Sequence, residues 1–172
     1  MPQNHRNQIL AKDINIAIIS ISDSRTRQTD KSGDYLEQEV ISNGFVVSDR
    51  ILIKDDINQI KTSFQKLLKS EAQIIITTGG TGISGRDNTI PVVESLIQKP
   101  LPGFGELFRM LSYQEVKGAA MFSRATAGLA EGAFIFALPG SVNAVKTAWL
   151  GLLKDEIKHL VFELNKHEQN YE

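Results

Sequence analysis

The residues best suited to chemistry in this chain are aspartates set beside glycines. Asp87 follows the stretch TTGGTGISGR, in which four glycines fall between positions 79 and 85. Asp55 and Asp56 form a second acidic pair, placed between a β-branched run and an amphipathic segment. Small residues let successive backbone N–H groups converge on phosphate oxygens. A neighbouring carboxylate can then hold a magnesium ion that bridges those phosphates, because magnesium prefers carboxylate oxygen. Each feature also has a plainer reading. The loop can be a tight turn with Arg86 and Asp87 paired at the surface, and an aspartate at 55 or 56 can be a helix N-cap.

Other nucleotide grips fit less well. A P-loop needs G-x-x-x-x-G-K-[ST], and no lysine follows a suitably spaced glycine here. Gly80, Gly82 and Gly85 do spell the dinucleotide fingerprint G-x-G-x-x-G. That fingerprint requires the helix to open inside the motif, after the first strand, so that pyrophosphate meets the helix N-terminus. Here Arg86 to Thr89 intervene before a helical pattern starts, and the loop follows the third expected strand. No acidic strand end follows about 20 residues on.

Two further turns suit anions. LPGS, Leu138 to Ser141, lies between a strand and a helix, and its N–H groups and the Ser141 hydroxyl can receive an anion or simply cap the helix. FSRATAG, read as the end of a strand, supplies Ser123 and Arg124, and Arg124 can clamp a phosphate bidentately or decorate the surface.

These groups must be held by a scaffold, and the pattern points to a single α/β domain spanning 1–172, with 1–12 a short tail. Strands are expected at Ile14 to Ser22, Phe45 to Ile53, in AQIIITT, in AAMFSRA and in GAFIFAL. Helices are expected from Asp34 to Ser42, after Asp56 and from Thr89 to Gln98, where Pro91 suits the first turn. Two more carry Phe104, Leu107, Phe108 and Leu111, and a long apolar stripe from Val145 through Trp149 to Leu164. Trp149 reads as core. Alternating strands and helices imply a parallel, right-handed sheet.

Composition narrows the function classes. With 41% hydrophobic and 23% charged residues the chain is of ordinary globular make-up, and a net charge of -1 gives no bulk attraction to nucleic acid or anionic membrane. There is no cysteine, so disulfides and thiolate chemistry are excluded and a reducing cytoplasmic setting suits the chain. His5, His159 and His167 lack partners at metal-ligand spacing. No run reaches the ~20 apolar residues of a membrane span.

Taken in order, SDSRTRQTDKSG, TTGGTGISGRD, PGFGELFRMLSY, FSRATAG and FALPGSVNAVKTAW resemble the molybdenum cofactor biosynthesis B family, relatives of the molybdopterin adenylyltransferases. The resemblance runs from about Lys12 to Leu164. It implies a three-layer α/β molybdopterin-binding fold, a mostly parallel sheet between helices, assembled as trimers or hexamers. It implies molybdopterin as substrate, ATP as co-substrate, Mg2+ as cofactor, and contact with other proteins of the pathway. By motif, Asp55 and Asp87 take the place of the carboxylates that hold magnesium and orient ATP, with Asp56 able to share the role of Asp55. Gly79, Gly80, Thr81 and Gly82 match a phosphate cradle. Ser123, Arg124, Gly140, Ser141 and Asn143 match the nucleotide and pterin groove, and Ser22, Asp23, Ser32 and Gly33 match the first loop.

The chain departs from the family pattern just after Arg86-Asp87, where Pro91 stands at a position that usually carries glutamate. Pro102 replaces a glutamate common in the B branch. Adenylyl transfer needs positioning and charge neutralisation rather than a side-chain nucleophile. The function that the resemblance implies, and with which this chemistry agrees, is adenylylation of molybdopterin with Mg-ATP. The alternatives are a non-catalytic molybdopterin carrier, motivated by Pro91, and an NAD-dependent oxidoreductase.

Overall fold

In a computed structural model, residues 10–166 are described. Most of the expected tail, residues 1–9, and two of the histidines lie outside them. Ala11–Asp13 forms a single tight turn against the core. The elements that follow are β1 (Asn15–Ile21), α1 (Lys31–Ser42), β2 (Val46–Ile53), α2 (Ile57–Leu68), β3 (Ile74–Thr78) and α3 (Thr89–Leu96). Then come β4 (Lys99–Pro100), α4 (Pro102–Val116), β5 (Thr126–Ala130), β6 (Ala133–Leu138), α5 (Val142–Ala148) and α6 (Ile157–Asn165).

The six strands form one sheet in the order β2-β1-β3-β6-β5-β4. The first four are mutually parallel, while β5 runs antiparallel to both β6 and β4. Both faces are covered, as a parallel sheet requires. Alternate residues of β1 divide between two cores. Ile16 and Ile18 meet α1, α4, α5 and α6, while Ala17, Ile19 and Ile21 meet α2 and α3. The three-layer α/β architecture with a mostly parallel sheet is thus present. Trp149 is fully buried in the first core, edge-on to Phe45, with its indole N–H donated to Glu39 Oε2 at 2.8 Å.

Three sequence expectations need correction, two of them with consequences for expected site residues. Helix α1 starts at Lys31 rather than Asp34, because the buried Asp30 caps it by accepting from the Gly33 amide. Ser32 and Gly33 therefore sit in a helix turn, not in the loop. The segment AAMFSRA is not a strand. Residues Lys117–Phe122 form tight helical turns, Met121 and Phe122 stay exposed, and pairing begins only at Thr126. What defines β5 is its hairpin with β6. Glu131 and Gly132 link the two strands, both with positive φ (44° and 85°), the backbone that matches strand twist. Ser123 and Arg124 consequently precede a strand instead of ending one. Finally, the C-terminal helix is interrupted. A wider turn at Trp149–Leu153, marked by the Lys154 amide bonding to the Trp149 carbonyl, separates α5 from α6.

Candidate functional site

Four parallel strands end side by side, and their following loops converge there. Ser22, Asp23 and Arg25 follow β1, Asp55 follows β2, Gly79 to Gly82 follow β3, and Gly140 follows β6. With Ser84, Arg86 and Asp87 they line a polar cavity of about 400 Å³. The carboxyl ends of parallel strands are where open α/β sheets bind ligands.

The glycines are needed for conformation. Gly79 and Gly80 have φ of 101° and 64°. A Cβ at Gly80 would lie 2.2 Å from Thr89 Oγ1, and one at Gly79 would lie 2.1 Å from the Ile21 carbonyl oxygen. The Gly79 amide bonds to the Leu138 carbonyl, which pins the loop to the sheet end. Helix α3 folds back beneath the loop, its first amide donated to Gly80 O at 3.0 Å and the Thr89 hydroxyl to Gly79 O at 2.9 Å. The first amide of α3 is therefore bonded to the loop itself rather than offered to a pyrophosphate, which removes the geometric basis of the dinucleotide reading.

Each aspartate has a distinct setting. Asp87 Oδ2 accepts from the Ser84 amide at 2.8 Å and its hydroxyl at 2.6 Å. The Ser84 hydroxyl is the main influence holding the Asp87 carboxyl below its ordinary pKa; burial opposes it, and the Ser84 and Gly82 amides and the Arg124 charge assist. Asp87 thus stays ionised. Arg86 pairs not with Asp87 but with Asp23, at 3.0 Å. Asp55 Oδ1 accepts from the Asn88 amide and side chain at 3.0 and 3.1 Å, while its own amide donates to Asp23 Oδ1. Asp56 caps α2 by accepting from the Gln59 amide and lies outside the cavity lining. Asp55 and Asp87 both line the cavity and are the side chains there that could hold magnesium, which takes one or two carboxylates with substrate phosphates and water. Among the described residues no group of three or more metal-ligating side chains exists.

Across the glycine loop lies a second cavity, an apolar slot of about 280 Å³ that shares Thr81 and Gly82 with the first. Phe108, Val116, Ala119 and Phe122 supply its apolar walls, and Ser123, Ser141 and Asn143 line it too. The Ser141 side chain accepts from the Ala144 amide and so also caps α5. Arg124 sits elsewhere. It donates to Gly82 O at 3.1 Å and lines a third cavity together with Arg109, Glu94 and Glu106. The expected site residues are therefore divided by the glycine loop. Ser32 and Gly33 lie beneath the polar cavity, where Ser32 accepts from Arg25 at 2.8 Å. A Cβ at Gly33 would collide with the Arg50 side chain.

Sequence reading missed Arg25, Asp30, Arg50, Ser84 and Asn88. Buried Asp30 pairs with Arg50 and, at 3.6 Å, with Arg25. Of these only Asp30 carried a local signal, an acidic residue just ahead of a helix. Arg25, Arg50 and Asn88 act across separations of 115, 20 and 33 positions that spacing does not reveal, while Ser84 acts on Asp87 only three positions on and was hidden by its ordinary place in a glycine-rich loop.

Residues 17–159 match the model of a probable molybdopterin binding domain. The chain is 46% identical over 171 residues to the molybdenum cofactor biosynthesis protein B of Staphylococcus epidermidis, covering 96% of this chain and 97% of that one. It is 44% identical over 165 residues to the protein of the same name from Staphylococcus aureus, covering 94% and 98%. Among solved structures, a molybdenum cofactor biosynthesis protein B is similar with a TM-score of 0.86 and 39% identity, over 92% of this chain and 99% of that one. The tungsten cofactor synthesizing protein of Pyrococcus furiosus aligns with a TM-score of 0.77 and 36% identity, over 88% and 96%.

Proposed function

The chain belongs to the molybdenum cofactor biosynthesis proteins built on the molybdopterin binding domain, and on that premise we propose that it binds molybdopterin and adenylylates it with Mg-ATP. The observation that carries this reading is the pairing of a polar cavity, rich in backbone donors and carboxylates, with an apolar slot across one shared loop. A pterin is a flat ring joined to a phosphate-bearing tail, and the two compartments match those two parts. The ring lies in the slot near Phe108 and Phe122, and the phosphate reaches past Thr81 and Gly82.

In the polar cavity a phosphate oxygen of the pterin attacks the α-phosphorus of ATP. One P–O bond forms, the bond to the bridging oxygen of the β-phosphate breaks, and pyrophosphate leaves. The amides of Gly80 and Thr81, which make no hydrogen bond among the described residues, face this role as preorganised donors. Asp55 and Asp87 would hold magnesium, whose charge, when bound, offsets that of the phosphates. Pro91 is exposed in the first turn of α3 and does not line the polar cavity. Its replacement of an acidic residue therefore leaves the cavity's own carboxylates in place.

Self-association is part of the same proposal. Leu107, Met110 and Tyr113 of α4 are exposed at successive i, i+3 positions, an apolar ridge suited to a second copy.

Purified protein supplied with molybdopterin, ATP and magnesium is expected to yield adenylylated pterin and pyrophosphate. No product above a buffer blank sinks the adenylylation reading. Tight pterin binding in that case identifies a carrier instead.

A further inference from the structure

Of the cationic side chains around the polar cavity, one is held ready. We propose that Arg25 is the residue that grips a substrate phosphate there, an inference that rests on the cavity being a phosphate site. Its guanidinium donates from Nη1 to Ser32 Oγ at 2.8 Å and from Nη2 to the Gly140 carbonyl at 2.5 Å, and it pairs with the fully buried Asp30 at 3.6 Å. Its amide donates to Ser22 Oγ at 3.2 Å, which fixes the chain on the other side. A guanidinium has five donors. None of the described hydrogen bonds of Arg25 uses Nε, and the side chain lines the cavity. A Cβ on Gly140 would lie 3.3 Å from both Arg25 Nη2 and the Gly79 Cα. Glycine at 140 thus lets the arginine and the glycine loop close on one space.

The competing cations are placed differently. Arg86 is 81% exposed and committed to Asp23. Lys54 donates to the Asp23 carbonyl. Arg124 meets Gly82 O and lines a separate cavity. Asp23, Asp55 and Asp87 also line the polar cavity, so a bound polyanion needs a fixed positive partner. A guanidinium already fixed by Ser32 and Gly140 supplies one through its remaining N–H groups, Nε–H among them, with little further loss of side-chain freedom.

The test is calorimetric titration of the full chain with inorganic pyrophosphate. Arg25→Lys and Arg25→Gln are expected to weaken binding roughly 10- to 100-fold, the range for hydrogen bonds to charged groups. Lys61→Gln, at an exposed lysine of α2 outside the cavity lining, is expected to change it no more than about fivefold. Because Arg25 also braces two loops, a measurement on the wild-type chain stands beside the variants. The Arg25 Nε–H resonance is expected to shift on adding pyrophosphate. Wild-type binding with undiminished affinity in both Arg25 variants, or an unmoved Nε–H signal at saturation, overturns the assignment of Arg25 alone. No pyrophosphate binding by the wild type overturns the phosphate reading of the cavity and this inference with it.

Discussion

The polar cavity and the apolar slot share Thr81 and Gly82 but are built in opposite ways. The polar cavity is made by the backbone. Strand ends, positive-φ glycines and side chains tied to carbonyls set its shape, and a buried charge cluster lies beneath it. The slot is made by side chains from α4, α5 and the turns between Val116 and Ser123. One wall resists change because bonded backbone cannot be repacked, and the other is set by residue volume. Substitutions in the two regions should therefore fail in different ways.

The largest effect is expected beneath the polar cavity. Asp30→Ala removes the nearest and only fully buried carboxylate of Arg50, whose side chain is 7% exposed, and leaves Asp34 and Glu37 at 3.6 and 3.8 Å, so roughly 3 kcal/mol of stability, the low end for a broken buried pair, should be lost in urea unfolding. Burial pushes the Asp30 carboxyl up, but hydrogen bonds with Ser20 and Arg50, the Arg50 charge and the Gly33 amide more than offset it, so the folded pKa lies below the ordinary value. A lowered folded pKa contributes stability that is present above the unfolded pKa and lost as pH falls through the folded one. The wild type should thus weaken below about pH 4, and Asp30→Ala should show less of that acid dependence.

Next in size is Asp87→Ala, expected to lower kcat at least about 100-fold with pterin affinity nearly unchanged, since the carboxylate serves the polar side only. If pterin affinity falls as much as kcat, the two compartments do not divide the labour. Ala119→Trp reverses the pattern. Filling the slot is expected to weaken pterin binding about tenfold by fluorescence titration and to leave pyrophosphate binding intact. The smallest effect belongs to Asp56→Ala, which removes a helix cap at a cost of about 1 kcal/mol and should leave turnover unchanged. A loss of turnover there would move the metal role from Asp55 to its neighbour.

Much of this design is legible in residue patterns. Ile74 to Thr78 is an unbroken β-branched run and Ile14 to Ile21 is rich in isoleucine, as buried parallel strands require, and the glycine loop between Thr78 and Asp87 announces its backbone by composition. The hairpin between β5 and β6 is harder to see. Its strand is alanine-rich and is defined by its partner, while the more apolar AAMF ahead of it has none. Within the site, the aspartates are visible as single residues, but the choice between Asp55 and Asp56 is set by which one meets Asn88, 33 positions away from Asp55. Arg25 is invisible for the same reason. Its meaning comes from Gly140, 115 positions on. Arg124, conspicuous beside Ser123, precedes β5 instead of ending a strand, and it donates to Gly82 O and lines a cavity with Arg109.

Division of one site into a phosphate compartment and a ring compartment is tested most directly by loading both at once. Molybdopterin and a non-hydrolysable ATP analogue with magnesium should bind the same protein molecule together, each at one per chain, in native mass spectrometry or paired titrations. Displacement of one by the other at saturation would contradict the division.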